Sequence, residues 1–178
     1  MDYKNILTFI GKKEDVESVM DSIHGKTEDG LEQMYIDFNN IIEVDEGLKI
    51  TYGSESVLAW DLLFEESSRS NKRSRKEAWQ ELVTYPRKVI NESILSALQM
   101  QENIQNTGHA DSDSWKQENW GFTSNAVETK LEAPNVISFC TFDAPASKLI
   151  DALRMKFPKV EFKHVFEEIE EGLPFWLQ

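Results

Sequence analysis

The chain has only one cysteine, so it cannot form an intramolecular disulfide. This excludes the disulfide-rich scaffolds of many small secreted domains and is compatible with a reducing compartment. Cys140 lies inside the apolar run Val136–Phe142, where a buried structural thiol is favoured over a nucleophile. A chain of 178 residues buries roughly two-thirds of its unfolded surface, so it needs neither a disulfide nor a cofactor to fold.

Long apolar runs and basic residues are also scarce. No window approaches the roughly 18 apolar residues of a membrane span, and no basic region leads into an apolar stretch at the N-terminus. We therefore expect a cytoplasmic protein. The chain has 19 Lys and Arg residues and 32 Asp and Glu residues, which gives a formal charge of −13. This charge favours a basic partner over nucleic acid or an anionic membrane, and it also fits a solvated acidic surface that keeps the protein soluble.

Motifs that carry common enzyme chemistry are missing. The chain has no Gly-x-Ser-x-Gly elbow, no His-Glu-x-x-His and no Cys-x-x-Cys. Its histidines, His24, His109 and His164, have no repeated spacing. We predict no catalytic residue, no metal site and no cofactor from these patterns. His164 shares a strand face with Phe162, which predicts a core histidine bonded to a neighbour.

Apolar periodicity predicts a β-α-β start and a β-β-α-β end. The predicted N-terminal elements are a strand over 4–10, a helix over 14–23 and a strand over 34–38. The predicted C-terminal elements are strands over 124–131 and 135–142, a helix over 146–157, a strand from 160 and an edge strand near 173–177. Around Trp115 to Gly121 we expect a tight turn held by aromatic burial.

This order predicts an α+β fold with a ferredoxin-like antiparallel sheet, two helices on one face and a helical insertion. The span 48–107 is rich in helix-forming residues and contains one proline, Pro86, which should end or kink a helix near Tyr85. We therefore predict a discontinuous ferredoxin-like domain over 1–47 and 108–178, interrupted by the insertion over 48–107.

Two charged segments are candidate binding sites. The segment 69–76 and the aromatic residue beyond it provide Arg69, Lys72, Arg73, Arg75, Lys76 and Trp79. They suit contact with phosphate or an acidic partner, with Trp79 stacking on a base, or they form an exposed helix junction.

The second segment is a carboxylate cluster at the end of the last strand, with Glu167, Glu168, Glu170 and Glu171. It suits contact with a basic protein. Together with Asp143 it also suits an acidic enzyme site, and charge at a sheet edge additionally blocks unwanted strand pairing.

Several short motifs resemble a known family. They are Trp115 with Asn119-Trp120-Gly121 and Asn125, Phe142–Pro145 leading into Ser147–Leu153, Glu167-Glu168 with Glu170–Gly172, and Asp37-Phe38-Asn39 with Ile41-Ile42. Together they resemble the YubB-type ferredoxin-like domain of conjugative plasmids and bacteriophages. The resemblance implies the fold and a mobile-element origin, and it implies no catalytic activity. The chain differs from the family at Phe122–Ser124 and at Ala144-Pro145.

The leading functional hypothesis is a non-enzymatic acidic protein of a phage or plasmid, acting in the host cytoplasm. It would bind a basic host protein and antagonise a defence nuclease or another nucleic-acid-binding factor. The first alternative is a nucleic-acid-binding module that uses the sheet or the basic segment 69–76. The second is an enzyme with an acidic site at the last strand.

Overall fold

A computed structural model describes residues 2–26, 33–64 and 73–169. The chain divides into two compact units, which we call the sheet unit, Met1–Val44 with Lys116–Gln178, and the helical unit, Asp45–Trp115. The boundaries lie at 44/45 and 115/116, compared with the predicted 47/48 and 107/108. The predicted edge strand near 173–177 lies outside the described residues.

The chain begins with a β-α segment and continues through helices before it returns to strands. The elements are β1 (Asp2–Ile10), α1 (Lys13–Ile23), β2 (Gly25–Lys26), β3 (Gln33–Met34), α2 (Ser54–Leu63), α3 (Arg75–Leu82), α4 (Arg87–Thr107), α5 (Ser112–Asn119), β4 (Val127–Ala133), β5 (Val136–Phe142), α6 (Ser147–Lys156) and β6 (Glu161–Ile169).

Four strands form an antiparallel sheet in the order β4-β5-β1-β6. This is the strand order of a β-α-β-β-α-β ferredoxin-like plan, so the predicted α+β fold is confirmed. β1 lies between β5 and β6, and its burial alternates along the strand: Asn5, Leu7 and Phe9 are fully buried on the face that the helices cover. Helix α1 buries Val16, Val19 and Ile23, at the i, i+3, i+7 spacing of one helix face.

The strand predicted over 34–38 is wrong. Only Gln33–Met34 pairs as a strand, with Gly25–Lys26, and Phe38–Asn40 is a short 3-10 helix. The side chain of Asp37 accepts a hydrogen bond from the Asn39 amide at 3.0 Å, and this local turn competes with strand pairing. The alternation still marks burial correctly, because Met34 and Phe38 are both buried.

The tight turn predicted around Trp115 to Gly121 lies only at the end of that motif, at Trp120 and Gly121, because Ser112–Asn119 is helix α5. The Asp111 side chain accepts a hydrogen bond from the Ser114 amide at 2.8 Å, which caps the first turn. Gly121 has a φ of 99°, a left-handed conformation that favours glycine just past a helix end. The turn therefore occupies the residues after the helix, not the whole motif.

The helical unit has its own apolar core. Its fully or nearly fully buried members are Leu58, Ala59, Trp60, Leu82, Ala97 and Met100. Pro86 stands at the N-cap of α4, where its missing N–H is not needed, so the predicted break is confirmed. On α4, Met100 is fully buried in this core, whereas Leu98 is 48% exposed.

Asn103 joins the two ends of the helical unit. Its Nδ2 donates to the Gly47 carbonyl at 2.9 Å and to the Ala110 carbonyl at 3.0 Å. The Tyr52 hydroxyl also donates to the Asp111 carboxylate. Entry and exit of the inserted segment are thus fixed to each other by buried polar contacts.

Candidate functional sites

Trp120 is buried in an aromatic cluster on the helix-covered side of the sheet. Its side chain is 1% exposed, and its ring centroid lies 5.8 Å from that of Phe38 and 6.5 Å from that of Phe122. Phe38 in turn contacts Phe139 of β5 at 5.7 Å. The Trp120 Nε1 donates to the Ile42 carbonyl at 3.2 Å. The Trp120 indole is therefore almost completely enclosed by other residues, and its N–H has a hydrogen-bond acceptor inside the protein.

Asn125 links the two halves of the predicted signature. Its Oδ1 accepts from the Phe38 amide at 3.0 Å and from the Ala126 amide at 2.9 Å, and its Nδ2 donates to Asp37 Oδ1 at 2.9 Å. The structure therefore brings Asp37-Phe38 together with Asn125, which lies almost 90 positions further on. Trp115 and Asn119 lie in α5 and are half-buried. These motif residues hold the fold together.

A second polar cluster is centred on Asn5, which is completely buried in β1. Its Nδ2 donates to the Tyr3 carbonyl at 3.2 Å and to Thr141 Oγ1 at 3.0 Å. Its Oδ1 accepts from the Ala146 amide at 3.1 Å, at the start of α6, and lies 2.9 Å from His164 Nε2. The sequence did not single out Asn5, because one polar residue inside a strand carries no signal of its partners.

His164 is a core histidine bonded to a neighbour, as predicted. Because Asn5 Oδ1 is an acceptor, His164 Nε2 carries the proton and donates it. Burial lowers the pKa of His164, and the nearby Arg154 cation lowers it further, against the opposing carboxylate of Asp151. Burial likewise raises the pKa of the Cys140 thiol, which is 5% exposed, as expected for a structural thiol.

Stability should therefore depend on pH through His164. The folded pKa is below the unfolded value of about 6.5, so the unfolded chain binds more protons and stability falls as the pH drops from about 7 toward the folded pKa. Urea unfolding between about pH 7.5 and pH 5.5 measures this fall. In His164→Gln, which keeps an N–H donor, the fall should be smaller. Parallel curves for the two proteins would contradict the assignment.

The predicted carboxylate cluster does not form one patch in the described residues. Glu167 and Glu168 are successive strand residues, so they lie on opposite faces of the sheet, opposite Lys4 and Tyr3 respectively. The side chain of Glu167 is 68% exposed, and its carboxylate lies 3.9 Å from the Lys4 ammonium. Glu170 and Glu171 lie outside the described residues. Nothing in the described part brings Asp143 together with these glutamates.

The basic segment is described only in part, since Arg69 and Lys72 lie outside the described residues. The Arg73 guanidinium lies 3.5 Å from the Glu81 carboxylate. Ser74 and Glu77 form a capping box at the start of α3, in which each side chain bonds to the backbone amide of the other residue. These hydrogen bonds lower the pKa of Glu77. Arg75 and Lys76 begin α3 and are exposed. Trp79 is 51% exposed, so its indole is accessible on the surface of the helical unit.

An acidic stripe on α1 was missed by the sequence reasoning. Glu14, Glu17 and Asp21 are all exposed at i, i+3 and i+7, on the side of α1 away from its buried face. By the helix rise they span about 10 Å. Within the described part of the chain, Glu17 forms an ion pair with Lys13 at 3.7 Å, and both side chains are largely exposed. The spacing was visible in the sequence beside the buried residues of the same helix.

The described residues contain no group of three or more His, Cys, Asp or Glu side chains arranged to hold a metal ion. Over the same residues, no helix is both long and apolar enough to cross a membrane. The fold and these sites define a ferredoxin-like α+β protein with a helical insertion and an acidic helix. Comparison of the chain with protein-family models, curated proteins and solved structures finds no match.

Proposed function

We propose that this protein is a non-enzymatic interaction protein that binds a basic protein through its acidic surface. The observation that carries the proposal is the exposed stripe of Glu14, Glu17 and Asp21 on α1, in a chain of net charge −13. The electrostatic field of these negative charges attracts a cationic cleft on another protein. The acidic surface then competes with the nucleic acid that the cleft normally binds.

The resemblance to the YubB-type domain supports a narrower proposal. In it, the chain is encoded by a phage or plasmid, works in the host cytoplasm, and antagonises a defence nuclease or another nucleic-acid-binding host factor. The signature residues Trp120 and Asn125 make hydrogen bonds inside the sheet unit. They therefore stabilise the fold, and the charged surface residues remain available for contact with a partner.

Affinity capture from a bacterial lysate tests the proposal with two variants of equal charge. One carries Glu14→Gln, Glu17→Gln and Asp21→Asn on α1; the other carries Glu161→Gln, Glu167→Gln and Glu168→Gln on β6. Each removes three exposed carboxylates. We expect the wild type to retain a basic protein that high salt releases. If the contact lies on α1, the first variant should bind it about 5- to 100-fold more weakly.

A loss confined to the β6 variant would place the contact at the acidic strand end instead. Retention that is indifferent to salt and unchanged in both variants would contradict the proposal. The two variants control each other, because both change the net charge by the same amount.

Nucleic-acid binding is the second candidate function, and the exposure of Trp79 beside Arg75 and Lys76 favours it. An aromatic ring between cations is a stacking platform for unpaired bases. In the same capture experiment, nucleic acid in the eluate that disappears when Arg73, Arg75 and Lys76 are changed to glutamine would move the assignment to this function.

A further inference from the structure

The face of the main sheet opposite the helices carries both charged and apolar side chains. The register places Asp2, Lys4, Ile6, Thr8 and Ile10 of β1 on this face, beside Glu161, Lys163, Val165, Glu167 and Ile169 of β6. We call these ten residues the open face. Ile10 is 44% exposed and Val165 is 51% exposed. On β6, Val165 is thus an exposed apolar side chain between two charged residues of the same face, Lys163 and Glu167.

The residues of the open face form rows across the strands. Ile6 is paired with Val165, and this apolar row lies in the middle. On one side of it Lys4 is paired with Glu167, and on the other side Thr8 is paired with Lys163. On β6 the order along the strand is therefore a cation, an apolar residue and a carboxylate, with Val165 at the midpoint.

This order is self-complementary under a two-fold axis. An axis that runs across the strands above the Ile6 and Val165 row places Val165 of one copy over Val165 of the other. The same rotation places Glu167 of each copy over Lys163 of the other. Two sheets stack about 10 Å apart, which is within reach of opposed Glu and Lys side chains. A two-fold contact needs such a patch, because the same surface is used twice.

The charge of the open face also selects a second copy as its partner. On β1 and β6 it has two lysines and three carboxylates, so it is nearly neutral within a chain of net charge −13. A strongly basic protein or a nucleic acid gains little attraction there. Two copies of the chain, each with a net charge of −13, therefore repel each other only weakly through this face.

We propose that the open face is a homodimer interface, with Val165 at its centre and Glu167 opposite Lys163 of the second copy. Two strands about 4.8 Å apart, each with nine residues at about 3.3 Å, give the open face a plan area of roughly 300 Å². This is well below the roughly 800 Å² per partner of a standard stable interface, so we expect a weak, reversible dimer. The inference goes beyond the proposed function and is independent of any other partner.

Charge exchange on the full chain tests the geometry by sedimentation velocity from about 5 to 200 μM protein. Glu167→Lys and Lys163→Glu should each weaken the dimer at least about tenfold, because each places like charges together at two symmetric positions. The double variant should recover to within about threefold of the wild type. Val165→Asp should give a monomer, and Glu43→Lys, which changes an exposed carboxylate outside the open face and the α1 stripe, should leave the dimer unchanged.

The substituted side chains are exposed, so thermal melts should show that every variant is folded. A wild type that stays monomeric over the whole range would overturn the proposal. So would a dimer that survives Val165→Asp, or a double variant no stronger than the single ones.

Discussion

Trp120→Ala is expected to cost the sheet unit about 3–5 kcal/mol of unfolding free energy. The change removes a fully buried indole from contact with Phe38 and Phe122, and it leaves the Ile42 carbonyl without its donor. The two rings lie in separate segments, Phe38 in the short 3-10 helix and Phe122 in the loop before β4, so they cannot fully close the resulting cavity. Urea unfolding, followed by circular dichroism at constant pH, measures the loss.

Two variants separate packing from hydrogen bonding. Trp120→Phe keeps a ring but removes the Nε1–H donor, so we expect an intermediate loss of about 1–3 kcal/mol. Trp79→Ala removes the same residue type from a site that is 51% exposed, and should change stability by about 0.5 kcal/mol or less. If both tryptophan-to-alanine variants lost the same amount, the structural role assigned to Trp120 would be wrong.

Asn5→Ala is expected to destabilise the sheet unit by about 3 kcal/mol or more. It leaves the Ala146 amide and the His164 imidazole without their Asn5 partner, and it removes one hydrogen bond each from the Tyr3 carbonyl and the Thr141 hydroxyl. For a unit of about 100 residues, this corresponds to a fall in melting temperature of about 10 °C or more.

Asn135→Ala is the matched control for that experiment. Asn135 also donates its Nδ2 to a backbone carbonyl, that of Phe9 at 2.9 Å, but it is exposed, so water can replace it. We expect a loss of about 1 kcal/mol or less. Equal losses in the two asparagine variants would refute the central role of Asn5.

The fold was largely predictable because apolar periodicity records burial. Alternation in β1 and the i, i+3, i+7 pattern in α1 reflect a single interior, and the order of elements then leaves few topologies. The prediction failed where short side chains compete for backbone hydrogen bonds. The Asp37 side chain stabilises a 3-10 helix where a strand was predicted, and the Asp111 side chain caps a helix that the sequence patterns did not predict.

The contacts within the sites could not be predicted in the same way. Trp120 and Asn125 were found by resemblance, but their partners Ile42 and Phe38 are separated from them by 78 and 87 positions. No local spacing encodes such a pair. The sequence shows the i, i+3, i+7 spacing of the α1 stripe. It does not show whether these carboxylates are exposed or paired within the fold, and the structure answers this by showing that Glu14 and Asp21 are exposed.

The most direct test of the acidic-surface proposal is the salt dependence of the dissociation constant for the captured basic protein. We would measure it for the wild type and for the α1 variant with Glu14→Gln, Glu17→Gln and Asp21→Asn. We predict that the wild-type affinity falls steeply with salt and that the variant shows a weaker affinity and a shallower slope. Identical slopes for the two proteins, or an affinity that salt leaves unchanged, would contradict the claim that the α1 carboxylates recognise the partner.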